Sequence, residues 1–384
     1  MRIAQIAPLY ESVPPKFYGG TERVVAHLSD ELVRRGHEVV LFASADSETL
    51  AELVPCREMA LRLDKELSWD LPAHLSMLAE VRSRACDFDI LHFHLDCMHL
   101  PMFADLAHHT LTTTHGRQDV KDLRRLYQLY PEFPLVSISD SQRKPLPFLR
   151  WVRTVHHGYP KSQYTFSPEG KGGYLAFLGR ISPEKGVDRA IAIAKRAGLP
   201  LRIAAKVDSA DRGYFDNHIA PLLDDHDVEF IGEIGEDEKS EFLGRARGLI
   251  FPIDWPEPFG LVMIEAFACG TPVIAFNRGS VPEVIEHGKT GFVVNSIEEA
   301  AEAATRLGEI NRAHVRATFE RRFSVEAMAM GYESAYRAVL GLVDGIRPEP
   351  ERFRPVREGA ILTPREVTPG EVPIAAALAA EAIA

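Results

Sequence analysis

Two glutamates eight positions apart, Glu257 and Glu265, lie in the run Trp255-Pro256-Glu257-Pro258-Phe259-Gly260-Leu261-Val262-Met263-Ile264-Glu265. An apolar strand-like stretch, Gly248 to Pro252, precedes them, and a bare backbone at Gly260 separates them. A strand-to-helix junction of this kind offers carboxylate oxygens that accept from sugar hydroxyls and backbone N–H groups that donate to phosphate. A purely structural reading is also open, because Phe259, Val262, Met263, Ile264 and Phe267 would bury a helix face without any ligand. Glu265 weighs against it: a carboxylate among Ile264, Ala266, Phe267 and Ala268 needs a partner, and ribose hydroxyls are a natural one.

Three further loops follow strands and open helices. In Gly179-Arg180-Ile181-Ser182-Pro183-Glu184-Lys185-Gly186 two cations surround a helix start, where the helix dipole disfavours them. A bound diphosphate explains Arg180 and Lys185 better than folding does, with a solvated charged turn as the alternative. Phe17-Tyr18-Gly19-Gly20-Thr21-Glu22 brings paired glycines to a helix entry, where an anion can approach backbone amides. It is not a dinucleotide fingerprint, because ten residues (Pro8 to Phe17) separate the first strand from Tyr18, which disfavours hydride transfer. His115, in Thr113-Thr114-His115-Gly116, directly follows an apolar strand and so reaches the crevice of a parallel sheet.

The elements that must position these loops alternate short apolar runs with amphipathic stretches, the pattern of βαβ units. Strands are predicted at Ile3 to Ala7, Val39 to Ala43, Ile90 to Phe93, Leu111 to Thr114, Leu135 to Ile138 and Val152 to Val155. A helix from Thr21 to Arg35 is expected between the first two, capped by Thr21 and stopped by Gly36. The glycine- and proline-rich stretch 158–173 then interrupts the pattern. A second series opens with Tyr174 to Leu178, a helix from about Pro183 to Ala197, and strands at Leu201 to Ala205, Val228 to Ile231 and Leu249 to Pro252. The chain therefore divides into an α/β half at 1–160, a linker at 161–173, a second α/β half at 174–323, a helix at 324–343 and a tail at 344–384. Six prolines in that tail point to a poorly ordered or draped segment.

With 44 basic against 55 acidic residues, a formal charge of −11, the chain is unsuited to nucleic acid as a partner. Four scattered cysteines, Cys56, Cys86, Cys97 and Cys269, form no CxxC pair, which argues for a reducing compartment and against a structural zinc. The start of the chain is too short an apolar run for a signal peptide, and Ile374 to Ala384 is too short to span a bilayer. His92-Phe93-His94-Leu95-Asp96 alternates polar side chains that could hold a metal from one strand face, although satisfied polar groups at a strand end are commoner. Asp87-Phe88-Asp89 is a DxD, but it precedes its strand and so sits on the edge away from a crevice. Arg143, Lys144, Phe148, Arg150, Trp151 and Arg153 read as a solvated face more readily than as an anionic-membrane contact.

Taken together, GGTE at 19–22, GRISPEKG at 179–186, EPFGLVMIE at 257–265, ACGTPVIA at 268–275 and GSVPEVIEHGKTGFVV at 279–294 resemble the family-four retaining glycosyltransferases of the GT-B fold. The likeness covers most of residues 1–343. It implies two Rossmann-like α/β domains facing each other across a cleft, the first on the acceptor side and the second binding the nucleotide sugar, with the final helix crossing back to the first. It implies that Glu257 contacts the transferred sugar and Glu265 the ribose, while Phe259 and the amides of Gly260, Leu261 and Val262 border sugar and diphosphate. Arg180 and Lys185 would hold the diphosphate, Gly19 and Gly20 the donor from the first domain, and His115 the flank of the anomeric carbon.

One departure stands out: Ala204-Ala205-Lys206-Val207-Asp208 replaces a glycine-rich turn, and Lys206 would add a phosphate contact. The implied activity is metal-independent transfer of a hexosyl unit, with the nucleotide sugar as co-substrate and no cofactor. A UDP-sugar is favoured, with GDP- or ADP-sugars as alternatives, and the acceptor is a carbohydrate, a lipid-linked or a small-molecule hydroxyl. A cytoplasmic location with at most peripheral membrane contact is expected. Rival readings are a sugar-nucleotide epimerase, a phosphorylase, or a non-catalytic sugar-nucleotide-binding subunit of a polysaccharide assembly.

Overall fold

Near-continuous apolar strands need cover on both faces, the condition of a parallel sheet. The computed structural model describes residues 1–16, 19–223 and 227–341. Its first sheet contains β1 (Arg2–Ile6), β2 (Glu38–Ser44), β3 (Glu52–Arg57), β4 (Ile90–Phe93), β5 (Thr110–Thr113), β6 (Leu135–Ser137) and β7 (Trp151–Thr154), in the order β3-β2-β1-β4-β5-β6-β7. A second sheet contains β8 (Leu175–Arg180), β9 (Leu201–Lys206), β10 (Val228–Gly232), β11 (Gly248–Phe251), β12 (Val273–Phe276) and β13 (Gly291–Val294), in the order β10-β9-β8-β11-β12-β13. All pairings are parallel. Strand order reverses between β1 and β4 and between β8 and β11, and ligand crevices of open α/β sheets form outside the carboxyl ends at such reversals.

Several local expectations shift. The first helix runs Gly20–Arg34 with Gly19 as its N-cap, so Thr21 lies inside the helix and caps nothing; Gly36, at φ 86, ends the turn as expected. The helix expected from Pro183 starts only at Val187, because Lys185 N–H and Gly186 N–H both turn back to the Ser182 carbonyl at 3.1 and 3.4 Å. Lys185 therefore sits in the turn ahead of the helix. The pattern missed β3, an edge strand carrying Pro55, the last strands β12 and β13, and the helix Leu71–Ser83, whose apolar residues form only a weak stripe. The expected tail and the last two residues of the expected final helix lie outside the described residues, as do Phe17 and Tyr18.

That final helix, Val325–Val339, crosses back to the first sheet. Val325, Met328, Ala329, Tyr332, Ala335 and Tyr336 form one stripe at helical spacing and pack on Ile3, Val24, Leu28, Leu32, Ile90, Leu111 and Val136. Polar contacts fix the rotation of the helix: Glu333 accepts from Arg35 at 2.9 and 3.0 Å and lies 3.0 Å from His37 Nε2. The Arg35 guanidinium hydrogen bonds are the main reason the Glu333 carboxyl is held down at about 2. Upstream, the glycine-rich stretch 158–173 is anchored by fully buried Tyr159 and Tyr164, and Tyr159 forms a bridge with Ser324 at the mouth of the helix. A Cβ on Gly158 would lie 2.3 Å from the Ser324 carbonyl oxygen, so only glycine allows the two segments to cross.

Candidate active site

Glu257 lies in the loop after β11 and is 8 % exposed. Its Oε2 accepts from Lys185 Nζ at 2.8 Å and from Trp255 Nε1 at 2.9 Å, so the two residues given separate tasks by sequence meet directly. The Lys185 ammonium also lies 5.2 Å from the Trp255 ring centre, within cation–π range. Beneath the loop, Ser280 N–H donates to the Glu257 carbonyl at 3.0 Å and Ser280 Oγ to the Phe259 carbonyl at 2.7 Å. Gly279, at φ +54, lies so close that a Cβ would sit 2.2 Å from the Glu257 carbonyl oxygen. The second run, GSVPEV, is thus the seat of the first.

Gly260, in the left-handed region at φ 80, caps the helix Leu261–Ala268, the first helix after β11. One turn on, Glu265 is 3 % exposed. Part of the partner that a buried carboxylate needs comes from the protein: Oε1 accepts from Tyr159 Oη at 2.8 Å and Lys239 Nζ at 3.3 Å. The other, Oε2, is buried with no hydrogen-bond partner among the described residues. The cluster extends across the cleft, since Glu236 accepts from Tyr164 Oη at 2.7 Å and pairs with Lys239 at 3.0 Å and with Arg23 of the first domain at 2.9 Å. Burial works against the Lys239 ammonium, but Glu265 and Glu236 outweigh it and raise its pKa. Burial likewise opposes the Glu236 charge, yet Lys239 and Arg23 prevail and bring it to about 2.

Arg180 and Lys206 end β8 and β9 side by side in register. Their ion pairs among the described residues are with other carboxylates than Glu257 and Glu265. Arg180 pairs with Glu184 at 2.9 Å and lies 3.6 Å from Asp211 and 3.8 Å from Asp208, and Lys206 pairs with Asp208 at 2.9 Å. These two cations therefore carry acidic partners of their own, whereas Lys185 takes Glu257.

The first domain reaches the same crevice. A Cβ on Gly20 would stand 3.4 Å from Leu261 Cδ1, so the glycine loop faces the helix that Gly260 caps. Gly19 is pressed against Pro15, whose Cβ would lie 2.8 Å from an added Cβ. His115 follows β5, stacks on His157 with ring centres 5.4 Å apart, and His157 in turn meets Phe259 edge-on at 5.0 Å. Two residues on, the Arg117 guanidinium lies 5.4 Å from the Trp255 ring centre. Burial pushes the His115 imidazole down to about 3, so the ring is neutral at physiological pH.

Residues 165–319 match the family profile described as glycosyl transferases group 1, and residues 18–137 match that of glycosyltransferase family 4. The chain belongs to the family-four glycosyltransferases. It is accordingly an enzyme that moves glycosyl groups. Glycogen synthase of Mycobacterium tuberculosis is 26 % identical over 88 % of this chain and 95 % of that protein. D-inositol 3-phosphate glycosyltransferase of Mycolicibacterium gilvum is 29 % identical over 83 % and 85 %. Among solved structures, sucrose-phosphate synthase from Thermosynechococcus elongatus superposes with a TM-score of 0.72 at 18 % identity, covering 89 % of this chain and all of that one. HepE of Anabaena, solved in complex with UDP and glucose, gives 0.69 at 17 % over 88 % of this chain and all of that one. These structures share the two-sheet GT-B fold.

The competing motifs of the glycosyltransferase resolve into structural roles. His92 and His94 share a strand face with ring centres 4.1 Å apart, and all four ring nitrogens are engaged by protein groups. Asp96 instead accepts from the His115 backbone N–H at 3.1 Å. Asp89 accepts from Arg2 N–H at 2.8 Å, at the amino edge of the sheet. Arg143, Arg150, Trp151 and Arg153 are tied to Ser137, Glu132, Leu146 and Ser334, which fits the solvated-face reading. No helix among the described residues is long and apolar enough to cross a membrane. Sequence reasoning missed Arg23, Tyr159, Glu236 and Lys239 around Glu265; the one available signal was that Lys239 follows a strand of the second sheet within a helix-opening acidic run.

Proposed function

We propose that this glycosyltransferase moves a hexosyl unit from a nucleoside-diphosphate sugar to a hydroxyl acceptor, with retention at the anomeric carbon and without a metal ion. The observation that carries the reading is Glu265, a buried carboxylate with one oxygen held by Tyr159 and Lys239 and the other unpartnered among the described residues. An unpaired buried acceptor costs about 1–3 kcal/mol, and more when charged. Vicinal hydroxyls of a ribose offset that cost, and the helix N-terminus at Gly260, Leu261 and Val262 one turn earlier suits the diphosphate attached to it.

In this reading Phe259 borders the donor sugar while Glu257, its Oε2 fixed by Trp255 and Lys185, presents its other oxygen to the sugar hydroxyls. Arg180, Lys185 and Lys206 receive the diphosphate, and Gly19 and Gly20 close on it from the first domain. Lys185 then shares its protons between Glu257 and phosphate. As the bond from the anomeric carbon to the diphosphate oxygen breaks, the acceptor oxygen bonds to that carbon from the same face and its proton passes to the departing phosphate. Negative charge grows beside Arg180 and Lys185, where losing one preorganised donor costs ~10²–10³ in rate. No divalent cation or other cofactor is needed for that stabilisation, and neutral His115 offers a lone pair beside the positive character at the anomeric carbon.

A UDP-sugar is the favoured donor, in keeping with the HepE structure bound to UDP-glucose; starch synthase IV of Arabidopsis thaliana, a neighbour of the same fold, was solved with ADP. The acceptor is a carbohydrate, lipid-linked or small-molecule hydroxyl. Thermal melting against UDP-, GDP- and ADP-glucose tests the reading, since a donor at a hundred times its Kd adds about 2.7 kcal/mol of stability. One donor should raise the Tm of the wild-type protein and fail to do so for Glu265→Gln. No shift and no turnover with any of the three overturns the proposal.

A further inference from the structure

Beneath His115 lies a chain of buried polar side chains that transfer of a sugar does not by itself require. Gln5 on β1, His92 on β4 and Thr113 on β5 are fully buried and meet Tyr332 and Tyr336 of the helix Val325–Val339. The distances are 2.9 Å from His115 Nε2 to His94 Nδ1, 2.8 Å from His94 Nε2 to Gln5 Oε1, and 3.0 Å from Gln5 Nε2 to Tyr336 Oη. They continue with 2.9 Å from Tyr336 Oη to His92 Nδ1, 2.8 Å from His92 Nε2 to Thr113 Oγ1 and 3.0 Å from Thr113 Oγ1 to Tyr332 Oη.

The donors in this chain run one way. Thr113 Oγ1–H donates to Tyr332, so its lone pair accepts from His92 Nε2–H, and the bare Nδ1 of neutral His92 accepts from Tyr336. Tyr336, having used its proton, accepts from the Gln5 amide nitrogen, which leaves the Gln5 carbonyl oxygen to accept from His94 Nε2–H. His94 Nδ1 is then bare and must accept from His115 Nε2–H. The Gln5 amide sets this direction, with its nitrogen toward Tyr336 and its oxygen toward His94, and each link passes it to the next; hydrogen bonds in such a chain strengthen one another.

We propose that Gln5, His94 and Tyr336 are positioning residues that lock His115 in its Nε2–H tautomer, so that Nδ1 is the lone-pair atom of the ring. The functional part of this inference rests on the reading that sets His115 beside the anomeric carbon. There the tautomer decides the sign of the local dipole: a lone pair favours developing positive charge, whereas an N–H opposes it. The lock is supplied by a helix more than 200 residues away in the chain, as Tyr336 is 244 positions from His92.

Long-range ¹⁵N–¹H correlation of histidine-labelled full-length protein reads the tautomer directly, with His115→Ala providing the assignment. Wild type should show His115 protonated at Nε2 and bare at Nδ1. Gln5→Leu removes the acceptor of His94 and should give mixed tautomers at His115, with kcat lower by ~10–100-fold, as when a partner that orients a metal-bound histidine is lost, and KM for the donor unchanged. Tyr336→Phe should act in the same direction and covers the case in which Gln5→Leu fails to fold. Gln5→Glu retains an acceptor for His94 and should restore both the tautomer and most of kcat. A proton on Nδ1 in wild type, or tautomer and kcat unmoved in Gln5→Leu and Tyr336→Phe, or Gln5→Glu behaving as Gln5→Leu, overturns the proposal. Wild-type turnover in His115→Ala instead overturns the placement of His115 at the reacting carbon, and the positioning role with it, whatever tautomer the spectrum reports.

Discussion

Lys185 Nζ and Glu257 Oε2 are 2.8 Å apart, with their side chains 19 % and 10 % exposed. A pair this far out of water acts as a unit, so removing either member leaves the other charge short of its partner. Glu257→Gln and Lys185→Met should each lower kcat/KM for transfer by ~10²–10³, the typical cost of one preorganised electrostatic group. The double variant should fall well short of the product of the two losses. Fully multiplicative losses in a steady-state comparison of the four proteins would mean that the contact has no part in turnover.

Gly279 offers a cleaner backbone test. Its φ of +54 and the 2.2 Å that an added Cβ would leave to the Glu257 carbonyl oxygen make Gly279→Ala both strained and obstructed. Gly288, at φ +76 with nothing within 4 Å of its Cβ position, isolates the conformational part alone. Gly288→Ala should lose about 1 kcal/mol of stability and keep its activity. Gly279→Ala should lose more stability and, by shifting the Glu257 loop, most of its turnover. Equal effects in melting and rate assays would show that Glu257 does not depend on this seat.

Glu22, at the start of the first helix, is 5 % exposed, and burial is the main cause that raises its carboxyl from 4.5 to about 7. Between those values the folded protein holds a proton that the unfolded chain has released. The contribution to stability is therefore full below pH 4.5 and is lost as pH rises through about 7, on the order of 3 kcal/mol in all. Urea melts of wild type and Glu22→Gln across this window should show a difference that widens as pH rises, with the variant the more stable at pH 8. Parallel pH profiles would remove Glu22 as the source.

Glu333 has the opposite sign. Its carboxyl is held down from 4.5 to about 2, chiefly by the Arg35 hydrogen bonds, so its contribution is present above pH 4.5 and fades as pH falls toward 2. Glu333→Gln should weaken the docking of the helix Val325–Val339 at neutral pH and remove part of the acid sensitivity of wild type. Hydrogen exchange along that helix is the direct readout, and unchanged protection would assign the docking to its apolar stripe alone.

The crevice was legible in the sequence because parallel-sheet logic converts a list of strands into a list of loops at one edge. Arg180 and Lys206 end their strands and His115 and Glu257 follow theirs, and all four lie at that edge. The pairings within it were not legible. The spacing marks Lys185 as a candidate phosphate ligand, whereas in the structure it pairs with Glu257, and Arg180 is surrounded by Glu184, Asp208 and Asp211. The apolar neighbours of Glu265 show that it needs a partner, but Tyr159 and Lys239 come from elements that no local pattern links to it. Nothing local marks Gln5 within its apolar strand, because its partners lie just past β4 and on a helix more than 300 residues later. Periodicity reports which face is buried; it does not report which polar groups meet there.

The crossing helix sets an order on synthesis. When the first 160 residues have left the ribosome, Ile3, Val24, Leu28, Ile90, Leu111 and Val136 have no Val325, Met328, Tyr332 or Tyr336 to cover them. The half of the enzyme that is made first is thus the half that is finished last, and a nascent chain interrupted anywhere before residue 325 leaves an uncovered apolar face that a chaperone would recognise.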